Sequence, residues 1–197
     1  AGLGSQTELI ESDFMKVPVG DGAFDGGYAV EALCHGYDKP AMYREIARVL
    51  KPGSMFATYE WCITPLYDDD SAEHRRVRQG IEKGNAIARL PSYGEIHDAM
   101  GQAGFDIVET RDRAPECDPE IPWYTPLDEK LSFRGVMRTG VGRTLTNAFT
   151  GVLETVGIAP KGTRAVSTLL NGGADALVAG GKIGIFTPMY FVLARKR

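Results

Sequence analysis

Between residues 7 and 110, strand-length apolar segments alternate with amphipathic helical stretches. No other feature narrows the possible folds as much, because such alternation is satisfied by helices packed on a mostly parallel sheet. Thr7–Glu11 reads as a first short strand and Phe24–Val30 as a second, with the turn Val19–Ala23 between them. A helix follows, in which Asp38 can cap the free N–H groups and Pro40 sits in the first turn, where a missing N–H costs nothing. Met42, Ile46, Val49 and Leu50 share one helical face, and Pro52-Gly53 is the expected stop. Ser54–Trp61 reads as the third strand. The charged stretch 68–89 reads as helical, and Ser92 with Glu95 has the spacing of a capping box for another helix that ends near Gly104. Phe105–Thr110 is the fourth strand.

The pattern changes after residue 113. Pro115, Pro119, Pro122 and Pro126 mark a long irregular connection over 114–128. Two helices with small-residue faces are expected over 139–157 and 161–180, and the second includes the glycine-rich run 171–181. A strongly apolar strand, Thr187–Ala194, closes the chain before the basic tail Arg195-Lys196-Arg197. The block 114–182 thus reads as a helical cap inserted before the last strand. The 197 residues carry 22 Lys+Arg against 26 Asp+Glu, a formal charge of −4, which argues against a nucleic-acid binder. Three cysteines without paired spacing argue against a disulfide scaffold, and no Cys/His spacing suits a metal. No apolar run is long enough to span a membrane.

In doubly wound sheets the ligand lies beyond the carboxyl ends of the strands. Three such ends carry chemistry here. Asp13 beside Phe14 offers an acceptor and an apolar ring, a pair that suits an adenine; an Asp in a turn also serves as a cap. Glu31 ends a strand that otherwise reads as buried, so it suits a general base or a carbocation stabiliser, or else a carboxylate at a helix N-terminus. His35 is a catalyst or a hydrogen-bonded structural residue, and Cys34 reads as a small buried side chain. Tyr59, Glu60 and Trp61 join two aromatics to a carboxylate, and Trp123 and Tyr124 add two more rings. Aromatic faces attract cations by about 0.5–2 kcal/mol. Together these rings read as an apolar pocket, although Trp61 alone would read as core. Gly2-Leu3-Gly4 precedes the first strand, so it does not read as a cofactor loop.

Taken together, Phe24-Asp25, Tyr28-Ala29-Val30-Glu31-Ala32 and Cys34-His35 resemble the sterol C24-methyltransferase family. Tyr43, Glu45-Ile46, Arg48–Gly53, Tyr59–Cys62 and Thr64 carry the resemblance on. Gly84-Asn85, Trp123-Tyr124, Pro126-Leu127 and Ile185–Phe191 complete it, over essentially the whole chain. Leu50-Lys51-Pro52-Gly53 is generic to class I methyltransferases; the Glu31–His35, Tyr59–Trp61 and Phe186–Phe191 stretches are far more specific. Pro65, Gly36-Tyr37 and Ala86-Ile87-Ala88 depart from the family's usual residues.

The resemblance implies a class I, Rossmann-like α/β fold lacking its first strands. Residues 1–113 would form the later part of the methyltransferase core. Residues 114–197 would form the sterol-binding region, with the last strand, 186–194, returning to the sheet. It implies methyl transfer from S-adenosylmethionine to C24 of a sterol side-chain double bond, leaving a carbocation that a hydride shift and proton loss quench. Cofactor contacts would come from Asp13, Phe14, Ala29 and Glu31. Glu31, His35, Tyr59 and Glu60 would lie near the reacting carbon, and Tyr59, Trp61, Trp123 and Tyr124 against the sterol. Two upstream strands and the glycine-rich cofactor loop of the family are not found in the chain. It therefore reads as an N-terminally truncated piece that is inactive alone, with its first strand an unpaired edge. The alternatives are a non-catalytic sterol-binding module and a methyltransferase for another lipid or terpenoid alkene. The resemblance further implies peripheral association with endoplasmic reticulum membranes, a sterol as partner and no nucleic acid, and it is compatible with a homo-oligomer.

Overall fold

The computed structural model describes residues 5–128, 160 and 162–197. Four strands form one sheet in the order β1-β2-β4-β3. β1 is Phe24–Val30, β2 Leu50–Ile63, β3 Phe105–Asp112 and β4 Phe186–Lys196. β1 and β2 are parallel, whereas β4 runs antiparallel to both β2 and β3. β1, β2 and β3 therefore share one direction, and the returning last strand is wedged between two of them. The expected α/β class holds; the mostly parallel pairing does not, because β4 replaces what would be a direct β2–β3 contact.

Helix α1, Lys39–Val49, starts where expected: the Asp38 carboxylate accepts from the Ala41 N–H at 2.9 Å. It ends earlier than Pro52-Gly53, because Leu50 already pairs with Phe24 in the sheet. Pro and Gly are tolerated there, at the start of a strand. Helix α2 is Ala72–Gly84 and α3 is Tyr93–Gln102. The α3 capping box forms in both directions: the Ser92 hydroxyl accepts from the Glu95 N–H, and the Glu95 carboxylate accepts from the Ser92 N–H at 2.8 Å. Ser92→Ala is expected to remove about 1 kcal/mol of stability. Thermal unfolding checks this, with a midpoint lowered by roughly 2–4 °C.

Helix α4, Thr163–Lys182, contains the glycine-rich run and packs along α2. The connection 114–128 holds two short helical turns, Ala114–Glu116 and Thr125–Asp128, in otherwise irregular chain. The expected helix 139–157 and the Gly2–Gly4 segment lie outside the described residues. The expected strand at Thr7–Glu11 is absent: these residues are irregular and exposed, and they pair with none of the four strands. A strand is stable only with a neighbour, so local composition could not decide this one.

The sheet separates two cores. α1 and α3 cover one face, where Met42, Tyr43, Ile96 and Met100 meet Phe56, Cys62, Phe105 and Val192. α2 and α4 cover the other, where Val77, Ile81, Ala176 and Leu177 meet Ile185 and Phe186. Side chains of β2 alternate between them: Phe56, Thr58, Glu60 and Cys62 are buried on the α1/α3 side.

Candidate active site

The shared direction of β1, β2 and β3 places Val30, Ile63 and Asp112 at one end of the sheet, beside the start of β4. Val30 is level with Tyr59, so Glu31 leaves β1 at the level of Glu60. Glu60, Tyr190 and Asp112 continue the same row. At about 4.8 Å per strand, the row spans roughly 14 Å.

At the β1 end, Glu31 has φ of 52°, a left-handed conformation that a residue with a Cβ rarely adopts. Such strain costs about 1–3 kcal/mol and gathers at functional sites. The side chains of Glu31 and His35 are exposed, and between them the chain makes the 3-10 turn Leu33–His35. Asp13 and Phe14 come to the same place. Their segment is tied to α1, where Arg48 donates to the carbonyls of Val17 and Val19 and Glu45 accepts from the Val17 N–H at 2.7 Å. The hydrogen bond from Arg48 in turn holds the Glu45 carboxyl below the usual range. A Cβ at Gly36 would lie 3.5 Å from the Phe14 ring and 2.6 Å from the Met42 sulfur. Glycine at 36 thus makes room for Met42 of α1, and the Phe14 ring lies beside the turn within ordinary contact distance. One Asp13 oxygen accepts from the Met15 N–H at 2.8 Å, fixing the carboxylate beside the half-exposed ring. Ala29, half-buried, packs at the edge of the α1/α3 core.

Glu60 is fully buried on the α1/α3 face. Its Oε1 accepts from the Tyr43 hydroxyl at 2.7 Å and the Thr58 hydroxyl at 3.3 Å, and its Oε2 from Lys39 Nζ at 3.1 Å. Lys39 Nζ also donates to the Leu33 carbonyl at 2.6 Å. Burial first, then the Glu60 charge, pushes the Tyr43 phenol well above its usual pKa, so it remains a donor. Tyr59 and Glu60 project to opposite faces of β2, and so the structure does not bring them together. Alternation along Phe56, Thr58, Glu60 and Cys62 was a period-2 signal that could have shown this. Burial raises the thiols of Cys34 and Cys62, which fits packing rather than nucleophilic roles.

On the other face Trp61, Trp123 and Tyr124 come together around Phe186, with both tryptophans packed against the α2/α4 core. Trp61 meets Phe186 edge-on at 5.4 Å between ring centroids, Phe186 meets Trp123 at 5.7 Å, and Trp123 meets Tyr124 at 5.5 Å. Tyr59 lies one step back along β2, against Phe191 at 5.6 Å. Phe186 joins Trp61 to Trp123, a role that sequence reasoning missed; its place at the start of an apolar strand was the only hint. A cavity of about 270 Å³ opens beside these rings, lined by Thr64, Asp112, Cys117, Trp123, Tyr124 and Phe186 among others. Asp112 is fixed there by the hydroxyls of Tyr93 and Thr187, at 2.8 and 2.7 Å. Within the cluster the Trp61 indole N–H is buried with no hydrogen-bond partner among the described residues, an omission rare in packed cores.

Residues 2–58 match the methyltransferase domain family, and residues 133–196 match the sterol methyltransferase C-terminal family. Over 197 residues the chain is 45% identical to cycloartenol-C-24-methyltransferase 1 of Oryza sativa subsp. japonica, covering all of this chain and 57% of that protein. It is 42% identical to sterol 24-C-methyltransferase erg-4 of Neurospora crassa, covering 99% of this chain and 53% of that one. The chain thus spans just over half the length of these relatives. In a solved geranyl diphosphate methyltransferase in complex with SAM, the same fold recurs at 18% identity, with a TM-score of 0.60 over 94% of this chain and 56% of that one.

Proposed function

Because the chain belongs to the sterol 24-C-methyltransferase family, within the S-adenosylmethionine-dependent class I methyltransferases, we propose that the protein methylates C24 of a sterol side-chain double bond. The observation that carries the reading is the aromatic series Trp61, Phe186, Trp123 and Tyr124 beside the carboxyl ends of the strands. Aromatic walls exclude water and stabilise positive charge, which is the demand that methylation of an alkene makes. Division into a methyltransferase core up to residue 113 and a sterol-binding region beyond it is part of the proposal.

The residues at the β1 end fit the cofactor. Asp13 supplies a fixed acceptor for an exocyclic amine, and Phe14 a half-exposed ring face beside it. Glu31 and Ala29 sit where the strand meets the turn, the place for the methionine portion. S-adenosylmethionine supplies an electrophilic methyl group when bound. The chain's own part is then to orient the double bond, to shelter the charge that develops on the neighbouring carbon, and to accept the proton that leaves. Tyr59 and Trp61, on the aromatic face of β2, suit the first two tasks. Glu31 and His35, exposed at the β1 end, suit the third.

The test is transfer of a labelled methyl group by the full-length protein, over a panel of side-chain-unsaturated sterols and other alkenes. The expected product is a sterol labelled at C24. Trp123→Ala is expected to lower turnover about tenfold, from the loss of a cation–π contact of roughly 0.5–2 kcal/mol. Methylation of non-sterol alkenes alone, or sterol binding without binding of S-adenosylmethionine, would overturn the reading. No helix among the described residues is long and apolar enough to cross a membrane. Peripheral attachment to endoplasmic reticulum membranes completes the proposal.

A further inference from the structure

We propose that Lys39 and Glu60 form a buried clamp that positions the turn after β1, which makes Glu60 a positioning residue rather than a proton acceptor. The proposal rests on the reading that this turn borders the cofactor and the reacting carbon. Leu33 and Cys34 anchor the turn by burial in the two cores, but it has few hydrogen bonds of its own to set its backbone. Its internal hydrogen bonds are the His35 N–H to the Ala32 carbonyl at 3.4 Å, the Gly36 N–H to the Leu33 carbonyl at 3.0 Å, and a weak Cys34 thiol contact to the Glu31 carbonyl at 3.5 Å. It must nevertheless keep Glu31 in a left-handed conformation. The shortest bond to the turn comes from outside, from Lys39 Nζ to the Leu33 carbonyl at 2.6 Å.

Lys39 is the first residue of α1, so its side chain reaches back beneath the turn that precedes the helix. The ammonium is held at that point by Glu60, which is in turn held by Tyr43 from α1 and by Thr58 from its own strand. The clamp thus ties the turn to the helix that follows and to the neighbouring strand. Glu60 is fully buried, with both oxygens engaged, so it cannot meet a substrate without breaking the clamp. Well-packed apolar side chains can replace a buried ion pair with little loss of stability, so its service is to geometry.

Because the wild-type pair is charged and buried, a single Lys39→Met change leaves an uncompensated carboxylate. The informative variant is therefore the apolar pair K39M/E60L, with Y43F as a milder variant that removes one hydroxyl from Glu60 and keeps the Lys39–Leu33 bond. In amide hydrogen exchange on the protein without ligand, K39M/E60L is expected to speed exchange over residues 33–36 by about tenfold or more, the worth of one charge-assisted bond. Y43F, which loosens the hold on Glu60 alone, is expected to speed exchange there by less. Unaltered exchange over 33–36 in K39M/E60L overturns the clamp.

In the active full-length protein, E60Q separates the two roles of Glu60. Loss of a proton acceptor lowers kcat by roughly 10²–10⁴. The clamp predicts a smaller loss in kcat and a raised KM for S-adenosylmethionine. A kcat loss of the larger size with unchanged KM overturns the positioning role. E60Q also serves for the exchange measurement should K39M/E60L fail to fold: it weakens the bond to Lys39, and unchanged exchange at 33–36 again overturns the clamp. If the turn loosens as expected but the wild-type protein methylates no sterol, the proposed function fails and the clamp stands.

Discussion

Gly84→Val is expected to break the packing of α2 on α4 and to lower stability by about 3 kcal/mol. A Cβ at Gly84 would overlap the Cα of Gly173, and one at Gly173 would stand 2.9 Å from the Cα of Gly84. Both obstacles are backbone, which cannot rotate away as a side chain would. One turn earlier, a Cβ at Gly80 would meet the Ala176 methyl at 2.7 Å, so the helices are in close contact along this line. Against this, valine favours a helix over glycine by only a few tenths of a kcal/mol. Overpacking therefore wins. Thermal unfolding followed by circular dichroism should show the midpoint falling by roughly 6–12 °C. An unchanged midpoint would mean that α2 and α4 do not pack this way in solution.

Phe186→Ala is the second large effect, expected at about 3–5 kcal/mol. Phe186 is 3% exposed and touches both tryptophans, so truncation leaves a hole between Trp61 and Trp123. The hole cannot close easily, because Phe186 pairs with Ile63 in the sheet and its backbone is fixed. Urea unfolding measures the loss. Tryptophan emission provides a separate view of the site, since these are the only two indoles in the chain. Their emission is expected to shift to the red as water enters. Retained emission and stability would show that the rings do not form a continuous cluster.

Several elements were legible in the sequence because their causes are local. β1 runs over Phe24–Val30 as expected, and Asp38 caps α1. The Ser92/Glu95 box opens α3, and Gly104 follows that helix with φ of 95°. Each depends on residues within about one helical turn, or on alternation within one strand. The aromatic cluster was partly legible for a different reason: Trp61 stands near a strand end and Trp123 and Tyr124 in the connection that follows the fourth strand, and a doubly wound sheet gathers such segments at one end.

What escaped was the choice of partner. Thr7–Glu11 has the composition of a strand but pairs with no described strand. Leu50 has the periodicity of α1 but is taken by the sheet. Glu60 stood beside Tyr59 and Trp61 in sequence, yet the pleat sends it to the other face, where Lys39 and Tyr43 satisfy it.

The sequence by itself therefore determined the α/β class, the starts of α1 and α3, β1 and the apolar last strand, since propensity, capping and periodicity act over a few residues. Only the tertiary structure decided that β4 runs antiparallel between β2 and β3, that Phe186 joins the two tryptophans, and that Glu60 is bonded in a core. Those outcomes depend on which distant groups meet. A buried carboxylate or an unpaired strand edge is stable only when a specific partner removes its desolvation cost, and that partner lies far away along the chain.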